Sequence, residues 1–161
     1  TRLADSCTNS GNDQVINSTE GTLYVEANLI DGYDNNNFLS TIFDNSNDAN
    51  NNIFIQRYLG NIQAKITVGG TTQAEITELN TTSGSKKIAF TYKENEFKLF
   101  VNGSQVGSTD TSGSVFSANT LDKINVGSYY NYTLNFNSVI NDVKLYNTAL
   151  TDAELAALTQ V

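Results

Sequence analysis

The chain has 161 residues and a formal net charge of -8, with a pI of ≈ 4.3. That length suits one domain with a substantial core. The acidic balance argues against nucleic acid and anionic membrane surfaces as partners, and no apolar run approaches the roughly 18 residues that cross a bilayer. Residues 1–16 are polar and read as an N-terminal arm ahead of a folded domain over 17–161. In 22–30, Leu23, Val25 and Ala27 share one face, while Tyr24, Glu26 and Asn28 share the other. Such period-two alternation predicts a half-buried strand. Strands are also predicted over 38–43, 53–58 and 62–68, and Gly69-Gly70 turns the chain into another over 72–79. Residues 87–92 and 97–101 form a strand pair around the polar turn 93–96. Asn102-Gly103 is a strong hairpin signature, because a type I′ turn needs positive φ at both central residues. The last strands are predicted over 123–127 and 138–146. A helix is predicted over 151–158, where Thr151 and Glu154 form a capping box and Leu155 and Leu158 face the sandwich. Many short strands and one terminal helix predict an all-β, antiparallel β-sandwich.

The chain contains no His, Trp, Met or Pro and one cysteine, Cys7. Neither a Ser-His-Asp nor a Cys-His site is available, and no intrachain disulfide. Cys7 reads as an inert thiol, with a bridge between subunits as the alternative. The chain begins at Thr1, which reads as a processed chain or a piece of a longer one. Asn is about one residue in seven, well above ordinary usage. Residues 44–52 are dense in oxygen ligands, so Asp44 and Asp48 are candidate calcium ligands. The segment lacks the glycine and terminal Glu of an EF-hand, and a plain polar loop is the alternative. Tyr129, Tyr130 and Tyr132 cluster around Asn131, a set able to stack on a sugar and hydrogen-bond it. The alternative is that these tyrosines cover an edge of the sandwich; Tyr33 and Tyr58 also lie near loops. Glycosylation sequons occur at Asn17, Asn80, Asn102 and Asn131, of which Asn102 reads first as a turn residue.

Two stretches carry a family resemblance. Residues 86–159 run KKIAFTYKENEFKLFVNGSQVGS, then KINVGS, then VINDVKLYNTALTDAELAALT, and 16–26 run INSTEGTLYVE. This wording resembles laminin G-like, concanavalin A-type jelly rolls of marine phage tail and bacterial surface proteins. The resemblance implies a β-sandwich that hosts lectins, adhesion modules, glycanases or inert structural domains. It also implies a calcium site between the early and late strands, at Asp142 with Glu26 as partner. Glycanases of this fold carry E-x-D-x-x-E on one strand. Here the nearest pairs are Glu75 with Glu78 and Glu94 with Glu96, and neither has that spacing, so no enzyme is expected. The expected function is a non-catalytic module of an extracellular or virion protein, adhering to a cell-surface glycan or protein. The competing expectation is a self-assembling structural subunit, a homo-oligomer or part of a larger assembly joined through the N-terminal arm.

Overall fold

The computed structural model describes residues 7–30, 37–46, 49–129 and 135–161. The strands are β1 (Cys7–Ser10), β2 (Glu20–Leu29), β3 (Asn37–Phe43), β4 (Asn52–Tyr58), β5 (Asn61–Val68) and β6 (Thr71–Glu78). They continue with β7 (Gly84–Lys93), β8 (Glu96–Val101), β9 (Ser104–Gln105), β10 (Lys123–Val126) and β11 (Val139–Tyr146), and helix α1 spans Asp152–Thr159. One sheet has the order β1-β10-β3-β4-β5-β6 and the other β11-β2-β7-β8-β9. Strand neighbours in both run antiparallel.

The alternation visible in the sequence decides which faces meet. Leu23, Val25, Ala27 and Leu29 of β2 pack with Ile88, Phe90 and Tyr92 of β7 and with Phe97, Leu99 and Val101 of β8. Ile53 and Ile55 of β4, and Ile62, Ala64 and Ile66 of β5, oppose them from the six-stranded sheet. Burial of these inner faces is the main driving force for closing the two sheets together.

The described part of the N-terminal segment does not stand apart as an arm. Residues 7–10 add a strand to β10, with Cys7 opposite Val126, and Ile16 is buried in the core. Strand addition therefore takes place within the chain. The segment reads as polar because an edge strand needs backbone pairing more than apolar side chains.

The Asn102-Gly103 hairpin forms as expected, with φ of 49° and 83°. Asn102 Oδ1 accepts from the Lys87 amide at 3.0 Å, and the Gly103 amide donates to Thr159 Oγ1 at 3.0 Å. Asn102→Ala removes an acceptor and places a Cβ residue of low left-handed tolerance there. A loss of about 1 kcal/mol or more is expected in urea unfolding; unchanged unfolding would contradict this turn geometry.

Helix α1 covers part of the outer face of the five-stranded sheet. The capping box is present on Thr151 and Glu154. Leu155 is buried against Tyr24, Ala89 and Phe100. The second buried helix residue is Thr159, while Leu158 is only partly buried, because Thr159 turns toward the hairpin. Lys98 Nζ clamps the helix start, 2.6 Å from Asp152 Oδ1 and 2.7 Å from Glu96 Oε1. Burial opposes the Lys98 charge, but these two carboxylates outweigh it and raise its pKa. The outer face of the six-stranded sheet carries no helix among the described residues.

Candidate functional site

Strand β4 reads NIFIQRY. Ile53 and Ile55 point into the core, so Asn52, Phe54, Gln56 and Tyr58 alternate onto the outer face. Strand register then sets their neighbours. Asn125, Thr41, Phe54, Lys65 and Glu75 form one cross-strand row. Phe38, Gln56, Gln63 and Thr77 form the next.

The β3 side of this face is aromatic. The Tyr129 ring stacks on Phe38 with centroids 4.1 Å apart and 25° between planes, and Phe54 meets Phe38 edge-on at 4.9 Å. Asn125 Nδ2 donates to the Tyr129 carbonyl at 2.9 Å, which fixes the backbone at Tyr129. The β5 side is polar. Gln56 Nε2 donates to Gln63 Oε1, and Gln63 Nε2 donates to Glu75 Oε1 at 2.8 Å. Lys65 Nζ stands 3.6 Å from Glu75 Oε2.

Two acceptors on this face have no protein partner. Gln56 is 5% exposed and its Oε1 is buried and unpaired; Asn52 Oδ1 is in the same state. Ser128 Oγ, next to Tyr129, is likewise buried and unpaired. A buried polar atom without a partner costs about 1–3 kcal/mol, so such atoms are rare without a ligand, water or functional reason. Tyr58 ends the row and is 37% exposed. The β4–β5 tip beyond it carries Leu59 with a φ of 49°. Every other described non-glycine residue with positive φ is Asn, namely Asn80, Asn95, Asn102 and Asn119. Leucine tolerates that region poorly, so the tip holds an exposed apolar side chain at a conformational cost.

Of the residues singled out from sequence, Tyr129 lies on this face and is packed against Phe38 and Phe54. Tyr130, Asn131, Tyr132, Asp48 and Tyr33 lie outside the described residues. Asp44 is engaged within its own loop: Oδ1 accepts from the Ser46 amide at 3.1 Å and Oδ2 from Asn51 Nδ2 at 2.8 Å.

Glu26 and Asp142 do come together, as register partners on β2 and β11 in the other sheet. Asp142 already has a cationic partner. Lys144 Nζ is 2.5 Å from Asp142 Oδ2 and lies over the Tyr24 ring at 4.8 Å. Glu26 Oε2 accepts from the Tyr24 hydroxyl at 3.3 Å. Burial, and after it the charge of Glu26, pushes the Tyr24 hydroxyl above the usual phenol range. Among the described residues no three His, Cys, Asp or Glu side chains group closely enough to hold a metal ion. A cation at Glu26 and Asp142 must displace Lys144. The expected result is an equal melting temperature in millimolar calcium and in EDTA; a rise in calcium, by mass action on the folded state, would establish a site.

Three of the four carboxylates considered for glycoside hydrolysis have other partners. Glu75 is held by Gln63 and Lys65, and Glu96 by Lys98. Glu78 accepts from Thr81, with its pKa raised by burial against the opposing pull of Thr81 and Lys86.

A family model described as the concanavalin A-like lectin/glucanases superfamily, of laminin G type, matches residues 8–156, and the chain belongs to that family. Solved structures share the fold. The CBM40 of the Ruminococcus gnavus IT-sialidase, bound to α2,3-sialyllactose, aligns with a TM-score of 0.75 at 17% identity, over 99% of this chain and 97% of that one. Domain 4 of AbnA, a GH43 extracellular arabinanase from Geobacillus stearothermophilus, in complex with arabinotriose, aligns with a TM-score of 0.64 at 17% identity, over 94% and 71%. A heptameric SAP-like pentraxin from Limulus polyphemus aligns with a TM-score of 0.65 at 10% identity, over 94% and 73%. No curated protein sequence matches. No described helix is long and apolar enough to cross a membrane.

The β4 row escaped the sequence reading, apart from Tyr58. The strand itself was visible. What marks its outer face is the order amide, aromatic, amide, aromatic in place of the charged residues usual on a solvated face.

Proposed function

We propose that this domain is a non-catalytic glycan-binding module and that its ligand lies along the outer face of β4. The observation that carries this reading is Gln56: a nearly buried side chain whose Oε1 has no donor, set between an aromatic group and a polar row. A sugar hydroxyl supplies the missing donor. Tyr58 supplies an exposed ring for the apolar face of the same or the next sugar unit. Structural neighbours with carbohydrate ligands support the reading at the level of the fold. The setting we infer is extracellular, on a cell or virion surface, where an acidic adhesive module meets a polysaccharide. Binding uses neither the carboxylates at Glu75, Glu78, Glu94 and Glu96 as acid and base nor a metal ion.

The test is a glycan array with the purified domain, run in calcium and again in EDTA. Binding that persists in EDTA and is lost in Gln56→Ala is expected. Binding abolished by EDTA would move the site to Glu26 and Asp142 or to the 44–52 loop. Silence in both buffers would favour a self-assembling structural role, although the described part of the proposed arm is already paired to β10.

A further inference from the structure

We infer that the β4 face is polarised to accept hydrogen bonds, with Glu75 as the positioning residue, so that it selects neutral, hydroxyl-donating sugars and rejects a carboxylate at Gln56. This rests on the glycan-binding reading above.

The polarity follows from one group that has no proton to give. Ionised Glu75 is acceptor-only. Gln63 therefore has to turn its Nε2 toward Glu75, at 2.8 Å, which leaves its Oε1 facing Gln56. Gln56 in turn has to offer Nε2 to that oxygen, and its own Oε1 is left aimed away from the relay, without a partner. The two amide orientations are thus fixed by the carboxylate rather than by choice of rotamer. Lys65 Nζ, 3.6 Å from Glu75 Oε2, stands on the carboxylate oxygen that Gln63 leaves free. At the other end of the strand the Ala49 carbonyl does the same to Asn52: Nδ2 donates to it at 2.8 Å, and Oδ1 is left unpaired.

The face thus holds two orphan acceptors on one strand, both buried just beneath its surface, four residues or about 13 Å apart, with Phe54 between them. A ligand that satisfies both carries donors at that separation, as a hydroxyl-rich oligosaccharide lying along β4 does. A carboxylate oxygen at Gln56 Oε1 sets two acceptors against each other in a site shielded from water, where an unmet acceptor is costly. Lys65, in the neighbouring cross-strand row, is already engaged by Glu75.

The experiment measures affinities for neutral probes (lactose, arabinotriose, laminaritriose) and acidic ones (3′-sialyllactose, an alginate trisaccharide). The wild type is compared with Gln56→Ala, Glu75→Lys and the double variant Glu75→Lys/Gln63→Ala, with circular dichroism to confirm folding. The wild type should favour neutral probes by tenfold or more. A lysine at 75 donates, so Gln63 and Gln56 reverse and Gln56 offers its amide protons. Selectivity should then move toward the acidic probes by at least fivefold. The double variant keeps the added charge but breaks the relay, and its selectivity should return toward neutral probes. An equal shift in both variants means bulk charge alone acts, and overturns the relay while leaving the glycan-binding site intact. Stronger wild-type binding of acidic probes through Gln56 also overturns it. No binding of any probe, or binding indifferent to Gln56→Ala, overturns the functional reading and this inference with it.

Discussion

Gly21→Ala is expected to cost the fold about 3 kcal/mol or more, a value at the upper end for a single added methyl. Gly21 lies near the start of β2, opposite Tyr92 of β7. A Cβ there meets Tyr92 Oη at 2.5 Å, Tyr92 Cζ at 2.7 Å and the Tyr146 carbonyl oxygen at 2.9 Å. None of these yields easily. Tyr92 is fully buried and its hydroxyl donates to the Asn17 carbonyl at 2.7 Å, while Tyr146 belongs to the strand paired on the other side of β2. The glycine is required by the close approach of Tyr92 and the Tyr146 carbonyl rather than by its φ. Urea unfolding measures the loss. Tyr92→Phe in the Gly21→Ala background removes the nearest atom and should restore part of it. Wild-type stability in Gly21→Ala would contradict the packing of β2 between β7 and β11.

Tyr58→Ala is expected to weaken glycan binding by tenfold or more at nearly unchanged stability. The ring is partly exposed at the end of the β4 row, so its removal opens no core cavity. Covering its face with a sugar is worth about 1.5–2 kcal/mol of apolar burial, and each 1.4 kcal/mol is tenfold in affinity. Tyr58→Phe keeps the ring and should keep most of the binding. Isothermal titration with the best neutral oligosaccharide reads both. A Tyr58→Ala variant that binds like the wild type would remove the platform from the site.

The sandwich was legible because its inner faces obey a local rule. Leu23, Val25 and Ala27 against Tyr24, Glu26 and Asn28, the Asn102-Gly103 turn, and the Thr151–Glu154 capping box each declare themselves within ten residues. Strand β1 did not, because CTNS has no apolar alternation and forms only where β10 offers an edge. The β4 face was hidden for a related reason. Gln56, Gln63 and Glu75 sit on three strands, and only register brings them into one relay. The Glu26–Asp142 pairing was foreseen through family resemblance, yet its electrostatics were not. Lys144 lies two residues from Asp142 on the same strand face and supplies the positive charge that a cation would otherwise bring.

On the proposed reading the ligand lies on the outer face of β4. The most direct measurement is a titration of the 15N-labelled domain with a neutral oligosaccharide, followed by amide shifts of backbone and side chains. The largest changes should fall on the Asn52, Gln56 and Gln63 side-chain amides and on the Tyr58–Asn61 backbone, while Asp142 and Lys144 stay still. Shifts centred on β2 and β11 around Glu26 and Asp142, with the β4 amides unmoved, would contradict it.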